Sequence, residues 1–170
     1  MYEVLVISDS HGLKEEITEI KNRHPNIKMI HCGDSELEYP SSELYGMYKV
    51  RGNCDFDSRY PVEEIISIGG LTFFVTHGHL FQVKSTLLKL SYRAKEIGAN
   101  VICFGHSHIA GAEQIEEQLF INPGSIRLPR NRHEKTYAIL KWESTDQINV
   151  QFYSLDGSEV KELIYTASFK

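Results

Sequence analysis

Cysteine is scarce in this sequence, and the few residues present form no pairs. Cys32, Cys54 and Cys103 are odd in number and contain no C-x-x-C spacing, which argues against a disulfide framework. No apolar run approaches the roughly 20 residues that cross a bilayer, and residues 1–4 lack the basic start of a signal peptide. We therefore expect neither a membrane protein nor a secreted one, and the cysteine usage fits a reducing cytoplasm.

Positive charge is also in short supply. The 170 residues include 18 basic and 23 acidic side chains, for a net charge of −5, whereas proteins that grip nucleic-acid backbones carry a basic surplus. The charge argues against a nucleic acid as partner. It does not exclude a phosphate ligand, because a local site can reverse the overall sign. Histidine, by contrast, is plentiful, with eight residues against a single tryptophan.

The order of predicted elements indicates an α/β protein with a substantial antiparallel share. No repeat or low-complexity tract divides the chain, so residues 1–170 are interpreted as one domain. A buried strand at 2–8, a helix at 13–24 and a strand at 27–32 predict parallel strands. Further strands are predicted at 44–50, 62–67, 71–76, 101–104, 111–116, 119–122, 136–142 and 148–155, and a second helix at 83–97.

Five polar clusters follow predicted strands at their carboxyl ends. In open α/β sheets the ligand crevice lies beyond those ends, so one edge could bring all five clusters together. Their glycines suit tight turns and close backbone approach. The clusters are Asp9-Ser10-His11, Gly33-Asp34, Gly52-Asn53-Cys54-Asp55, His77-Gly78-His79 and Gly105-His106-Ser107-His108.

The clusters supply seven oxygen or imidazole donors, too many for one tetrahedral ion, and no thiolate pair that would suit structural zinc. The set suits two adjacent ions with a bridging carboxylate. Mixed imidazole and carboxylate ligands favour manganese, iron, zinc, cobalt or nickel over calcium. Two ions about 3.5–4 Å apart can bridge a water, lower its pKa and clamp a phosphoryl group, which indicates phosphoester hydrolysis. The donors are Asp9, His11, Asp34, Asn53, His77, His106 and His108.

Each cluster taken alone has an ordinary structural interpretation. A single Asp-x-His is commonly a cap beside a surface histidine, and Gly-Asp or His-Gly-His is commonly turn chemistry. The set carries more weight than its members, because all five clusters fall at predicted strand ends in order.

The ordered set D-x-H, G-D, G-N-x-D, H and G-H-x-H resembles the calcineurin-like metallophosphoesterase family over residues 4–125. It is most similar to the short, cap-less YfcE-like phosphodiesterase branch, which shares G-N-C-D, T-H-G-H and the I-N-P-G-S of residues 121–125. The resemblance implies a fold of two packed mixed β-sheets flanked by helices.

The resemblance also implies a division of the ligands between two metal ions. Asp9, His11, Asp34 and His108 would hold the first ion, and Asp34, Asn53, His77 and His106 the second, so that Asp34 bridges them. Asn53 would also face the substrate phosphate, because a neutral amide can donate as well as ligate. Asp55 would orient a neighbouring group by hydrogen bonding.

Cys54 is a departure from the family pattern. Many members have histidine there, a residue thought to protonate the leaving group or steady the phosphate, and a thiol is a poorer proton donor to an alkoxide. A small buried filler is an equal interpretation of Cys54. His79 is a candidate substrate contact or an orienting residue, and Arg127 is a candidate phosphate contact.

The function indicated is a phosphoesterase that hydrolyses small soluble phosphodiesters through a metal-bridging hydroxide. Two divalent ions are implied, manganese first, with nickel, zinc, iron or cobalt as alternatives. Open alternatives are a phosphomonoesterase, a non-enzymatic interaction scaffold of the same fold such as the retromer subunit, and a thiol enzyme that uses Cys54. Relatives are often oligomers, so a homo-oligomer is possible here.

Overall fold

The computed structural model describes residues 1–170 and contains eleven strands and two helices. The strands are β1 (Tyr2–Ile7), β2 (Lys28–His31), β3 (Tyr48–Lys49), β4 (Glu63–Ile68), β5 (Leu71–Thr76), β6 (Val101–Cys103), β7 (Gly111–Ile115), β8 (Gln118–Asn122), β9 (Thr136–Trp142), β10 (Gln147–Ser154) and β11 (Tyr165–Ser168). The helices are α1 (Glu15–Arg23) and α2 (Leu88–Ile97), neither of them long and apolar enough to cross a bilayer.

The strands form two mixed sheets. The first has the order β11-β10-β9-β1-β2-β3, in which β1, β2 and β3 run parallel and the other neighbours antiparallel. The second has the order β4-β5-β6-β8-β7, in which β5, β6 and β8 run parallel. The predicted α/β class with two mixed sheets and flanking helices is confirmed.

Alternating side chains explain how the sheets and helices form four layers. On β1, Val4 and Val6 belong to the core cluster between the two sheets, whereas Leu5 and Ile7 pack in the cluster that contains Ile17 of α1. The second sheet also has one face in the core between the sheets, whereas Phe74, Ile102 and Phe120 on its other face pack against α2. Because both faces of the central strands are covered, these strands are continuous apolar runs.

Two predicted elements differ from the structure. Instead of a strand at 44–50, the chain forms a 3-10 turn over Ser42–Leu44 and then the two-residue strand β3, because Gly46 has a φ of +79° that no strand allows. Helix α2 begins at Leu88 rather than at 83, since residues 83–87 form turns and Thr86 Oγ1 accepts the Leu88 N–H. Strand β11 has no counterpart among the predictions.

Candidate metal centre

The ends of β1, β2, β5 and β6 bring four of the five polar clusters to one edge of the molecule. Backbone hydrogen bonds join their loops directly. The Asp9 N–H donates to Gly33 O at 3.0 Å, the His11 N–H to Asp34 O at 2.9 Å, and the Gly105 N–H to His77 O at 3.0 Å. The side chains that follow these strands are therefore held by a mutually bonded set of loops.

Five of the candidate ligands have left-handed backbone conformations, which are uncommon for residues other than glycine. The φ values are +53° for Asp9, +40° for His11, +57° for Asp34, +69° for His106 and +61° for His108. Such conformations cost about 1–3 kcal/mol each and persist only where surrounding structure enforces them, typically at functional sites. The strain is concentrated in the loops that carry the candidate ligands.

Asp9, His11 and His108 form one compact donor group. Asp9 Oδ1 lies 3.1 Å from His108 Nε2 and 3.8 Å from His11 Nε2, and the two imidazole nitrogens are 3.4 Å apart. Ligands bound about 2.1 Å from one ion lie roughly 3.0–3.5 Å from each other, so these spacings suit a single small cation.

Asp9, Asp34 and His77 form the second donor group. His77 Nε2 lies 3.1 Å from Asp34 Oδ2 and 3.8 Å from Asp9 Oδ1. All three residues are buried, with His77 and Asp9 completely enclosed. Asp9 belongs to both groups, whereas the family resemblance implies Asp34 as the shared carboxylate.

Hydrogen bonds orient three histidines in the same way. The Nδ1 atoms of His77 and His108 lie 2.8 Å from the carbonyl oxygens of Cys32 and Leu128, and His11 Nδ1 lies 2.6 Å from Glu36 Oε1. Because these partners are acceptors, each Nδ1 carries a proton, and Nε2 is the ring atom directed at the carboxylates. This arrangement, with an oxygen behind each ring, is typical of metal-bound imidazoles.

The donor set fits divalent cations. Asp9 Oδ1 and His77 Nε2 are buried atoms without a hydrogen bond, a costly state unless a cation binds there. Burial by itself would raise the pKa of Asp34, but the adjoining His77 and the Cys54 N–H lower it to about 2. The pKa of Asp9 is also lowered, because the His108 and His77 imidazoles outweigh the effect of burial. Both carboxylates are therefore ionised over the physiological range.

His106 and Asn53 lie beside these groups without joining either of them. The His106 ring is 5.1 Å from the His77 ring between centroids, and its backbone N–H donates to Asp9 Oδ2 at 3.1 Å. Asn53 is exposed and its side-chain amide donates to Cys54 Sγ at 3.5 Å.

Asp55 organises the loop between the ligands. Its Oδ2 accepts the N–H groups of Asp34 at 2.8 Å and Gly52 at 2.7 Å, and its Oδ1 accepts the Glu36 N–H at 2.9 Å. Asp55 thus positions the backbone of Asp34. Cys54 donates its N–H to Asp34 Oδ1 at 2.8 Å, and burial together with the Asp34 charge raises the pKa of the Cys54 thiol to about 11. The thiol is protonated at neutral pH, which argues against a nucleophilic thiolate.

His79 and Arg127 both lie next to the candidate ligands. The His79 ring is 5.5 Å from the His77 ring, and its buried Nδ1 has no hydrogen-bond partner. Burial and then the neighbouring His77 charge lower the pKa of His79, so this residue is neutral at pH 7. The Arg127 guanidinium donates to the carbonyl oxygen of His11, which places its charge at the rim of the first donor group.

Three supporting residues lie outside the seven predicted ligands. Glu36 orients His11, yet no motif marks it, because a glutamate in an acidic loop has no distinguishing sequence pattern. Ser125 of the I-N-P-G-S segment donates its hydroxyl to Asp9 O at 2.7 Å. In the same segment, Asn122 donates to Gly105 O at 3.1 Å. The segment therefore braces two ligand loops, a role that its turn-forming residues do not reveal.

His31, predicted as a buried strand histidine, supports the same loops. Its Nδ1 accepts the Gly33 N–H at 3.1 Å, so its Nε2 carries the proton and donates to Ser10 Oγ at 2.8 Å. A second proton on the ring would have to be placed on Nδ1, where it would point at the Gly33 N–H and break this hydrogen bond. Burial is the largest cause that lowers the pKa of His31, to about 4.

Acidification is therefore expected to destabilise the metal-free protein through His31. The unfolded chain takes up this proton near pH 6.5 and the folded protein only near 4, so stability is lost as pH falls through that window. Between pH 7.5 and pH 5.0 the loss from this residue is about 2 kcal/mol. Urea denaturation at both pH values, for the wild type and His31→Gln, measures it. An equal loss in the variant would contradict the assignment.

Comparison with known proteins defines the class to which this fold and donor set belong. Residues 2–145 match the family model described as the calcineurin-like phosphoesterase superfamily domain, and the chain belongs to this family. It is 53% identical over 164 residues to the probable metallophosphoesterase YsnB of Bacillus subtilis, covering 94% of this chain and 95% of the relative.

Solved structures agree with this assignment. A conserved uncharacterised protein of Streptococcus pneumoniae, described as a predicted phosphoesterase, superposes with a TM-score of 0.94 at 34% identity and covers 98% of this chain and 97% of that one. More distant likenesses that show the fold alone are Vps29 of Entamoeba histolytica complexed with zinc (TM-score 0.76, 19% identity, 99% of each chain) and the phosphoesterase YfcE of Escherichia coli (0.69, 21%, 99% and 100%).

Proposed function

We propose that this protein is a dinuclear metal phosphodiesterase that hydrolyses small phosphodiesters. The observation that carries the proposal is the convergence of three imidazole Nε2 atoms on two buried carboxylates, with Asp9 Oδ1 and His77 Nε2 left without hydrogen bonds. The whole chain is proposed to be one domain, because β10 and β11 extend the sheet that contains β1. Three free thiols suit a reducing cytoplasm.

Two ions would be held by the seven residues that the sequence indicates. Asp9, His11 and His108 would serve one ion, Asn53, His77 and His106 the other, and Asp34 both. Bound divalent ions supply Lewis acidity and lower the pKa of water, with manganese as the first candidate. His77 and His108 each carry a proton at Nδ1, so Nε2 is the ring atom that would bind a cation.

The remaining residues would bind and orient the substrate. The exposed Asn53 amide can donate to a phosphate oxygen, and the Arg127 guanidinium adds a positive charge at the rim. The water oxygen forms the new P–O bond as the bond to the leaving alcohol breaks, and the electron pair goes to the leaving oxygen. Cys54 holds its proton at neutral pH but is a weak acid, so substrates with good leaving groups are favoured.

Metal dependence tests this function directly. We would strip the protein with a chelator, restore manganese, nickel or zinc separately, and assay bis(p-nitrophenyl) phosphate against p-nitrophenyl phosphate. Restored turnover with preference for the diester is expected. Preference for the monoester would instead favour a phosphomonoesterase.

An interaction scaffold is the second candidate, and a specific feature favours it. Three large apolar side chains close to candidate ligands in sequence are exposed, namely Phe56 at 97%, Leu80 at 61% and Leu128 at 53%. A rim of this kind can serve as a protein contact. Tight metal binding without turnover of any phosphoester would favour the scaffold over the enzyme.

Cys54→His is expected to increase turnover of diesters with poor leaving groups, by about tenfold or more, since general acid catalysis is commonly worth 10²–10⁴. An imidazole at this position can protonate an alkoxide that the thiol does not. Rates for alkyl and p-nitrophenyl diesters, measured for both proteins, give the comparison. Cys54→Ser is the matched control, because it keeps the size and offers no better acid. Unchanged kinetics in the histidine variant would refute a role for this position in leaving-group departure.

A further inference from the structure

A cleft of about 540 Å³ lies beside the loop that carries His106 and His108. Phe104 and Ser107 of that loop line the cleft, and Arg130, also in its lining, donates its backbone N–H to His108 O at 3.0 Å. The volume is in the range of small-molecule sites, about 300–1,000 Å³. The cleft therefore adjoins the loop that carries two candidate ligands, with Ser107 between them in its lining.

The walls of the cleft are apolar and belong to fixed elements. Phe120 of β8 pairs with Glu113 of β7, and Phe120 packs in the cluster that covers this face with α2. Val83 and Leu87, in the segment before α2, also line the cleft; Val83 packs in the same buried cluster as Phe120, and Leu87 is partly exposed. Apolar and aromatic walls of this kind accommodate a flat ring.

One glycine keeps the cleft open. Gly111 of β7 lies opposite Asn122 of β8, and both residues line the cleft. A Cβ added at Gly111 would meet no atom within 4 Å, so larger side chains at this position would project into empty space. Gly111 therefore offers a way to fill the cleft without disturbing the core.

The lining of the cleft includes two cations. Lys84 and Arg130 both line the cleft and are exposed. Against them the lining offers one carboxylate, Glu113. The balance favours a ligand with a negative charge near this end of the cleft.

The cleft lies apart from the residue expected to face the leaving group. Cys54 lines a separate depression of about 230 Å³ together with Glu36 and Asp55, and none of these three residues lines the larger cleft. The leaving alcohol is expected beside Cys54. The larger cleft is thus available to the group that stays on the phosphorus.

We propose that the cleft binds the retained alcohol group of the phosphodiester substrate, and that this group carries an aromatic ring with an anionic substituent. The inference rests on the proposed function and deepens it. The ring packs against the accessible apolar lining, Leu87, Ile109 and Ala112, and the anionic substituent lies near Lys84 and Arg130. Such a subsite selects diesters over monoesters, because a monoester has no retained alcohol to place there.

Three p-nitrophenyl diesters that differ only in the retained group test the proposal. They are the methyl ester, the thymidine 5′-ester and the thymidine 5′-ester that carries a 3′-phosphate, assayed with the manganese-loaded protein. We expect kcat/KM to rise along this series, by about 10-fold to 100-fold for the ring and a further few-fold for the phosphate. Equal values for all three would overturn the proposal, whereas no turnover of any would count against the proposed function itself.

Variants then locate the effect in the cleft. Gly111→Trp should abolish the preference for the thymidine esters and leave the methyl ester and the metal content unchanged. The double variant Lys84→Gln/Arg130→Gln changes two exposed side chains, so we expect it to fold normally. It should remove only the increase in kcat/KM that the 3′-phosphate provides. Lys89→Gln is the matched control outside the cleft. Calorimetric binding of thymidine 3′,5′-bisphosphate should weaken in parallel, and undiminished binding in both cleft variants would overturn the assignment.

Discussion

Asp9→Asn is expected to lower kcat/KM for bis(p-nitrophenyl) phosphate by about 10³-fold or more, since bound metal contributes several kcal/mol of transition-state stabilisation. Asp9 Oδ1 is within 3.1 Å of His108 Nε2 and 3.8 Å of both His11 Nε2 and His77 Nε2. An amide keeps the shape of the side chain but removes its negative charge. A cation held by the three neighbouring imidazoles would then lose the carboxylate that is common to both donor groups. Metal analysis should show a fall from two ions per chain to one or none.

Asp34→Asn should have an effect of the same size, because Asp34 is the other buried carboxylate at His77 Nε2. Glu143→Gln is the matched control, since Glu143 is exposed and does not belong to any of the loops that carry candidate ligands. The control should retain both metal and rate. If Asp9→Asn or Asp34→Asn kept two ions and a rate within about threefold of the wild type, less than 1 kcal/mol, the metal centre would have to lie elsewhere.

Gly105→Ala is expected to destabilise the protein by about 1–3 kcal/mol, the range for overpacked sites, and to abolish tight metal binding. A Cβ at Gly105 would overlap Ser8 Oγ and lie 2.5 Å from Asp9 Oδ2. The backbone there has no positive φ, so the effect is steric rather than conformational. Asp9 would be displaced from both donor groups, and the loop that carries His106 would move with it.

Thermal denaturation with and without manganese measures both parts of this effect. The wild type should gain stability on adding the ion, by mass action, and Gly105→Ala should gain little. Gly111→Ala is the matched control, because its new Cβ meets no atom within 4 Å. Identical stabilisation of the two alanine variants by manganese would show that the Gly105 contact does not control the centre.

The sequence predicted the strands near the ligands well, and the reason is local. β1, β5 and β6 are continuous apolar runs followed at once by polar residues, so their ends are marked in the sequence itself. The strand predicted at 44–50 and the helix start at 83 were wrong, because the positive φ of Gly46 and the hydrogen bond from the Leu88 N–H to Thr86 Oγ1 are local backbone features that apolar periodicity does not report. β11 was missed because it is short and depends on its pairing with β10.

The sequence by itself determined the fold class, the family and which side chains could bind metal. These follow from residue type and from order along the chain, and both can be read directly from the sequence. The tertiary structure alone decided that Glu36 and two carbonyl oxygens orient the imidazoles, that the carboxylate common to both donor groups is Asp9, and that a cleft opens beside the loop that contains Ser107. Each depends on distances between residues far apart in the chain, and such distances are fixed only when the two sheets pack.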